Sequence, residues 1–122
     1  MQDRIRIEAL RRAQQFAETI RRAANGIDRR TAPELGAELV RAAGVVVASL
    51  TFDASAPGPA VARRMATAAS AIAELETLLA MAVGLEVLGA RGPRLVHELG
   101  KIRQLHGEWR RLWRVAGSGH AA

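Results

Sequence analysis

The chain has 122 residues, no cysteine, and 18 basic against 12 acidic side chains, a formal charge of +6. Apolar residues at 49% and charged residues at 25% are the proportions of an ordinary folded domain and argue against disorder. The absent cysteines exclude a disulfide framework or thiolate metal site and suit a reducing, cytoplasmic setting.

The length predicts one domain over 1–116, with 117–122 as a flexible tail. The longest charge-free run, Ala42 to Phe52, is 11 residues, short of the ~20 that a membrane-crossing helix needs. The charged start, Met-Gln-Asp-Arg, does not read as a signal peptide.

Asp3 is placed to cap a first helix whose apolar positions, Ile5, Ala9, Ala13, Phe16, Ile20 and Ala24, fall on one stripe. Asn25-Gly26 ends it, because both residues tolerate the left-handed backbone. Thr31-Ala-Pro-Glu34 reads as a capping box, with Pro33 harmless in a first turn. It opens a second helix that runs through Leu35, Leu39, Ala42, Val46 and Leu50 to about Phe52. The loop Asp53-Ala-Ser-Ala-Pro-Gly-Pro59 leads into a third helix through Val61, Met65, Ala68, Ile72, Leu75, Leu79 and Ala82. Gly89 is the expected stop, which makes this helix the longest, at ~45 Å. After Arg91-Gly-Pro93, a fourth helix carries Leu95, Leu99, Ile102, Trp109 and Leu112 to about Val115. No segment alternates as a strand would, so the fold class is all-α, an antiparallel up-down-up-down four-helix bundle.

The charge is unevenly spread. Residues 1–30 carry eight Arg and four acids (+4), 31–90 three Arg and six acids (−3), and 91–122 seven basic residues and two acids (+5). A genome bias towards arginine would spread more evenly, so the outer helices are expected to present a basic surface. The middle helices are apolar all round. Arg41 is the only charge from Leu39 to Phe52, and Glu74 and Glu76 the only ones from Met65 to Leu85. Contiguous apolar surface marks an interface, which points to a homo-oligomer, with Val45, Val47, Leu78 and Met81 as candidate contacts. Charges so isolated are seldom left unpaired, so Arg41 should meet Glu74 or Glu76 across helices two and three.

No constellation suggests catalysis. His97, His106 and His120 lack metal-ligand spacing, and the Glu-x-x-His pairs of di-iron bundles are missing. No serine has the context of an activated nucleophile. Ala56-Pro-Gly-Pro59 and Gly89-Ala-Arg-Gly92 match neither phosphate-binding fingerprint. We therefore expect no catalytic residue, metal or cofactor, and a half-buried or surface His106. In helix four, Gly100 and Gly107 lie seven apart, and glycine costs ~1 kcal/mol in a helix, so they suggest close backbone approach beside a core Trp109. The expected nucleic-acid contacts are Arg11, Arg12, Arg21, Arg22, Lys101, Arg103, Arg110, Arg111 and Arg114, acting mainly on phosphate because aromatic residues are few.

Several segments resemble a known family. Ser70-Ala-Ile-Ala-Glu-Leu-Glu-Thr77, followed by Leu78-Leu-Ala-Met-Ala-Val-Gly-Leu85, is similar to the third-helix signature of the bacterial four-helix-bundle proteins. These include proteins encoded by intervening sequences in 23S ribosomal RNA genes and the accessory variability determinants of diversity-generating retroelements. Leu39-Val-Arg-Ala-Ala43 resembles the second-helix segment, and Glu98-Leu-Gly-Lys-Ile-Arg103 with Gly107-Glu-Trp109 resembles the last helix of the accessory proteins. The resemblance spans roughly 5–115. One family segment, Ile-Pro-x-Asn-Ile-Ala-Glu-Gly, is replaced by Val45-Val-Val-Ala-Ser-Leu-Thr-Phe52, which favours the accessory branch over the ribosomal one. The accessory branch implies a homopentameric barrel that binds reverse transcriptase and template RNA and supports mutagenic complementary-DNA synthesis with no active site of its own. The ribosomal-gene branch implies a structural bundle of unknown partner.

Overall fold

The computed structural model describes the backbone over 2–121 and the side chains over 3–117. Four helices account for most of it: α1 (Gln2–Asn25), α2 (Leu35–Leu50), α3 (Gly58–Gly84) and α4 (Arg91–Ala121). The described residues contain no strand. Each helix packs on two neighbours, α1 and α3 both lying against α2 and α4, while the backbones of the diagonal pairs stay farther apart. This is a four-helix bundle with one core between the apolar stripes.

The stripes read from the sequence supply that core. Ala9, Ala13, Phe16 and Ile20 of α1 are buried, and every stripe residue named for α2 and α3 is buried too. In α4, Leu95, Leu99, Ile102 and Trp109 are buried and Leu112 is half-buried. Each large apolar side chain enclosed this way contributes ~1.5–3 kcal/mol of transfer free energy. Alanines fill the rest, which lets the helices approach closely.

The helix ends depart from expectation. Asp3 is no cap: α1 begins at Gln2, and Asp3 lies in its first turn, where a carboxylate complements the positive end of the helix dipole. The Thr31 capping box does not form. Asp28 organises that turn instead: its carbonyl accepts the N–H groups of Thr31 and Ala32, both at 3.1 Å, and its carboxylate accepts that of Arg30 at 2.9 Å. Turning there buries Ile27 and Ala32, and α2 begins only at Leu35, with Glu34 in the cap position and no side-chain bond. Helix α2 also ends two residues early, at Leu50, where Thr51 becomes extended.

Helix α3 stops at Gly84 rather than Leu88. Glu86 takes a left-handed φ of 59°, and the turn brings Leu88 into the core; Gly89, the expected stop, serves the next turn, into α4, with φ 57°. Helix α4 is therefore the longest, 31 residues against 27 for α3. It continues to Ala121, past the expected boundary at 116, while the side chains of 118–122, including His120, lie outside the described residues. Gly92 lets α4 begin tight against α3, since a Cβ there would lie 3.0 Å from Val83 Cγ2. By length and composition alone α3 could cross a membrane, a property that counting charge-free runs misses; its stripe is spent in the bundle core.

Candidate nucleic-acid interface

Six of the nine basic residues expected at the interface are engaged by carboxylates. On α1, Glu8 takes Arg11 at 2.6 Å and Arg12 at 3.2 Å, and Glu18 takes Arg21 at 2.5 Å and Arg22 at 3.3 Å. Glu8 and Glu18 are held below the ordinary carboxylate range, chiefly by the hydrogen bonds from Arg11 and Arg21. Each cluster sets two guanidiniums against one carboxylate, so one positive charge per cluster is uncompensated. On α4, Glu98 lies 3.6 Å from Lys101 and 3.8 Å from Arg12 across the helix pair, and Arg103 reaches Glu76 of α3 at 3.3 Å. The sequence carries a signal for the α1 pairing in its repeated Glu-x-x-Arg-Arg spacing at Glu8 and Glu18.

Arg110, Arg111 and Arg114 differ. All three are exposed in the last turns of the side-chain-described part of α4, and none has a carboxylate partner among the described residues. The three arginines do not share one face. Arg110 and Arg114 flank a groove of about 330 Å³ between α3 and α4, lined also by Ala62, Met65, Ala66 and Ala69 of α3 and by His106 and the half-buried Trp113. Arg111 stands over a shallow depression with Gln104, Gly107 and Glu108.

His106 is buried, at 5% exposure, not half-exposed as expected. Its Nε2–H donates to the Met65 carbonyl at 2.9 Å, and its ring meets Trp109 edge-on, with centroids 5.7 Å apart. This bond requires a proton on Nε2 and leaves Nδ1 unprotonated in the neutral ring. Burial holds the imidazole below its ordinary value; the Met65 carbonyl opposes this and the charge of Arg110 adds to it.

The sequence reading missed Arg6. Its guanidinium is buried, donating to Asp3 at 2.8 Å and to the Leu50 carbonyl at 2.7 Å, and lying 4.2 Å from the Phe52 ring centroid. It fastens the start of α1 to the end of α2. The signal lay in the stripe itself, since Arg6 extends the series Ala9, Ala13, Phe16, Ile20 by one step of three.

Arg41 pairs with Glu74 across α2 and α3, on the surface. Trp109 is in the core at 2% exposure. Gly100 and Gly107 meet no neighbour: a Cβ at either would find nothing within 4 Å, so close helix approach does not account for them in a single chain. Of the candidate oligomer contacts, Leu78 is spent in the chain's own core at 6% exposure, and Val45 and Val47 are partly buried against it. Met81 is open at 52%. Among the described residues no three His, Asp or Glu converge as a metal site. No protein-family model, curated protein or solved structure matches the chain.

Proposed function

We propose that this chain is a non-enzymatic, basic helical-bundle protein that binds RNA through phosphate contacts made by the C-terminal half of α4. The observation that carries this reading is the contrast within one set of residues: Arg11, Arg12, Arg21, Arg22, Lys101 and Arg103 share four carboxylates, while Arg110, Arg111 and Arg114 stand exposed with no carboxylate partner among the described residues. Guanidiniums in that state neutralise phosphate without first breaking an ion pair. The resemblance to the accessory variability determinants extends the reading. On that basis the chain is an accessory protein of a diversity-generating retroelement, binding reverse transcriptase and template RNA to support mutagenic complementary-DNA synthesis. Its helices alternate up and down, supported by contacts such as Arg6 with Leu50 and Arg12 with Glu98, and copies assemble as a ring, supported by the exposed Met81.

Binding to a structured RNA, followed against salt, tests the phosphate reading. Three phosphate contacts per chain give a log–log slope of about −2.7, hence a loss of roughly forty-fold between about 50 and about 200 mM salt. Replacing Arg110, Arg111 and Arg114 together by Glu abolishes binding and leaves helicity intact. Affinity that stays flat with salt, or that survives the triple replacement, overturns the reading.

A further inference from the structure

The groove between α3 and α4 has a chemistry that a purely phosphate-binding surface does not need. Its α3 side is apolar and small, with the exposed Ala62 and Ala66 and the half-buried Ala69 beside the buried Met65. One wall is Trp113, half-buried and packed on the core, so its indole is fixed in position while part of it stays accessible. The rim carries Arg110 and Arg114, one helical turn apart. Two like charges at that spacing repel each other, and an anion placed between them relieves the repulsion. The remaining lining group, His106, is buried, which disfavours its charged form, and it already spends its Nε2–H on the Met65 carbonyl, so it offers the groove no free donor there. At about 330 Å³ the space lies at the small end of the ~300–1000 Å³ of small-molecule sites, room for one planar ring.

We infer that this groove receives one unpaired base of single-stranded RNA, laid between Trp113 and the alanines of α3, with the flanking phosphates held by Arg110 and Arg114. This rests on the RNA-binding reading above and deepens it: the same arginines then prefer looped or single-stranded RNA to a closed duplex. A flat apolar slot beside paired guanidiniums matches a nucleotide, whose ring stacks in any sequence and whose phosphates follow at its edge. A duplex keeps its bases stacked inside and can use only the rim.

The test compares a single-stranded oligouridylate with an RNA duplex of equal length at one salt concentration, using the full chain. The wild-type protein favours the single strand, and titration quenches the accessible Trp113 while Trp109 stays enclosed. Two variants probe the slot: Trp113→Ala removes the stacking wall, and Ala66→Phe fills the α3 side from an exposed position that folding does not require to be small. In each, the ratio of single-strand to duplex affinity falls by roughly tenfold, in line with one lost base–aromatic stack. Trp113→Phe keeps a stacking ring and restores most of the ratio. If both variants keep the wild-type ratio, or if Ala66→Phe alone folds and keeps it, the slot is not a base site, although salt-dependent binding by the arginines stands. If the wild-type chain binds neither RNA, both readings fall together.

Discussion

At the scale of single residues, burial decides the chemistry. His106 is held below the usual histidine range by its enclosure, with Arg110 adding to that and the Met65 carbonyl opposing it. Its folded value therefore lies below its unfolded one, near 6.5. Above that pH both states are neutral and the native fold has its full stability; as the pH falls below it, the unfolded chain takes up a proton that the folded chain refuses, and stability declines until the folded value is passed. The urea midpoint of the wild-type chain should accordingly drop between about pH 7 and about pH 5 more steeply than that of His106→Gln, which keeps an N–H for Met65 but cannot titrate. Coincident pH profiles would assign the acid sensitivity elsewhere. Trp109 and the Arg41–Glu74 pair were legible from periodicity and from isolation of charge. The stripe places Arg6 as well, but the partners that let Arg6 and His106 be buried were not legible. A long side chain with a polar tip can occupy a stripe position if one carbonyl at the right depth accepts its proton, and the partners, Leu50 and Met65, lie 44 and 41 residues away.

The helices themselves were readable because a 3.6-residue period survives any detail of their ends, and every apolar stripe in α2 and α3 faces the core as that period requires. Boundaries were less so, because local capping competes with the demand to bury nearby apolar groups. Thr31 loses to a turn that encloses Ile27 and Ala32, and Gly89 loses its role as the α3 stop to a turn that encloses Leu88. Glycine in α4 makes a prediction at this scale. Added methyl groups at positions 100 and 107 would meet open space, so Gly100→Ala and Gly107→Ala should each stabilise the chain by about 0.5–1 kcal/mol through the backbone entropy glycine gives up, read as a higher urea midpoint. A lower midpoint would show that these positions are covered when the protein is assembled.

For the whole molecule, the partition of +4, −3 and +5 along the chain located the charged helices but not how much of that charge is available, since availability depends on which carboxylates lie within reach once the helices pack. Only folding sets Glu76 beside Arg103 and Glu98 beside Arg12. The proposed assembly has a direct measure. Light scattering should return a multiple of the 13.1 kDa chain mass, reduced to one chain by Met81→Glu, which places a charge on the most open large apolar side chain of α3. A single-chain mass for the wild-type protein at micromolar concentration would remove the ring from the proposal. The Arg6 contact bears on how such a molecule comes apart. Chain ends ordinarily fray turn by turn at little cost. Here the second turn of α1 cannot loosen without giving up the Leu50 carbonyl and the face of Phe52, whose ring in turn lies 6.0 Å from that of Trp109. Opening at this end is thus one concerted event that involves α1, α2 and α4 together, so protection of the amide protons there against exchange should rise and fall as a single block.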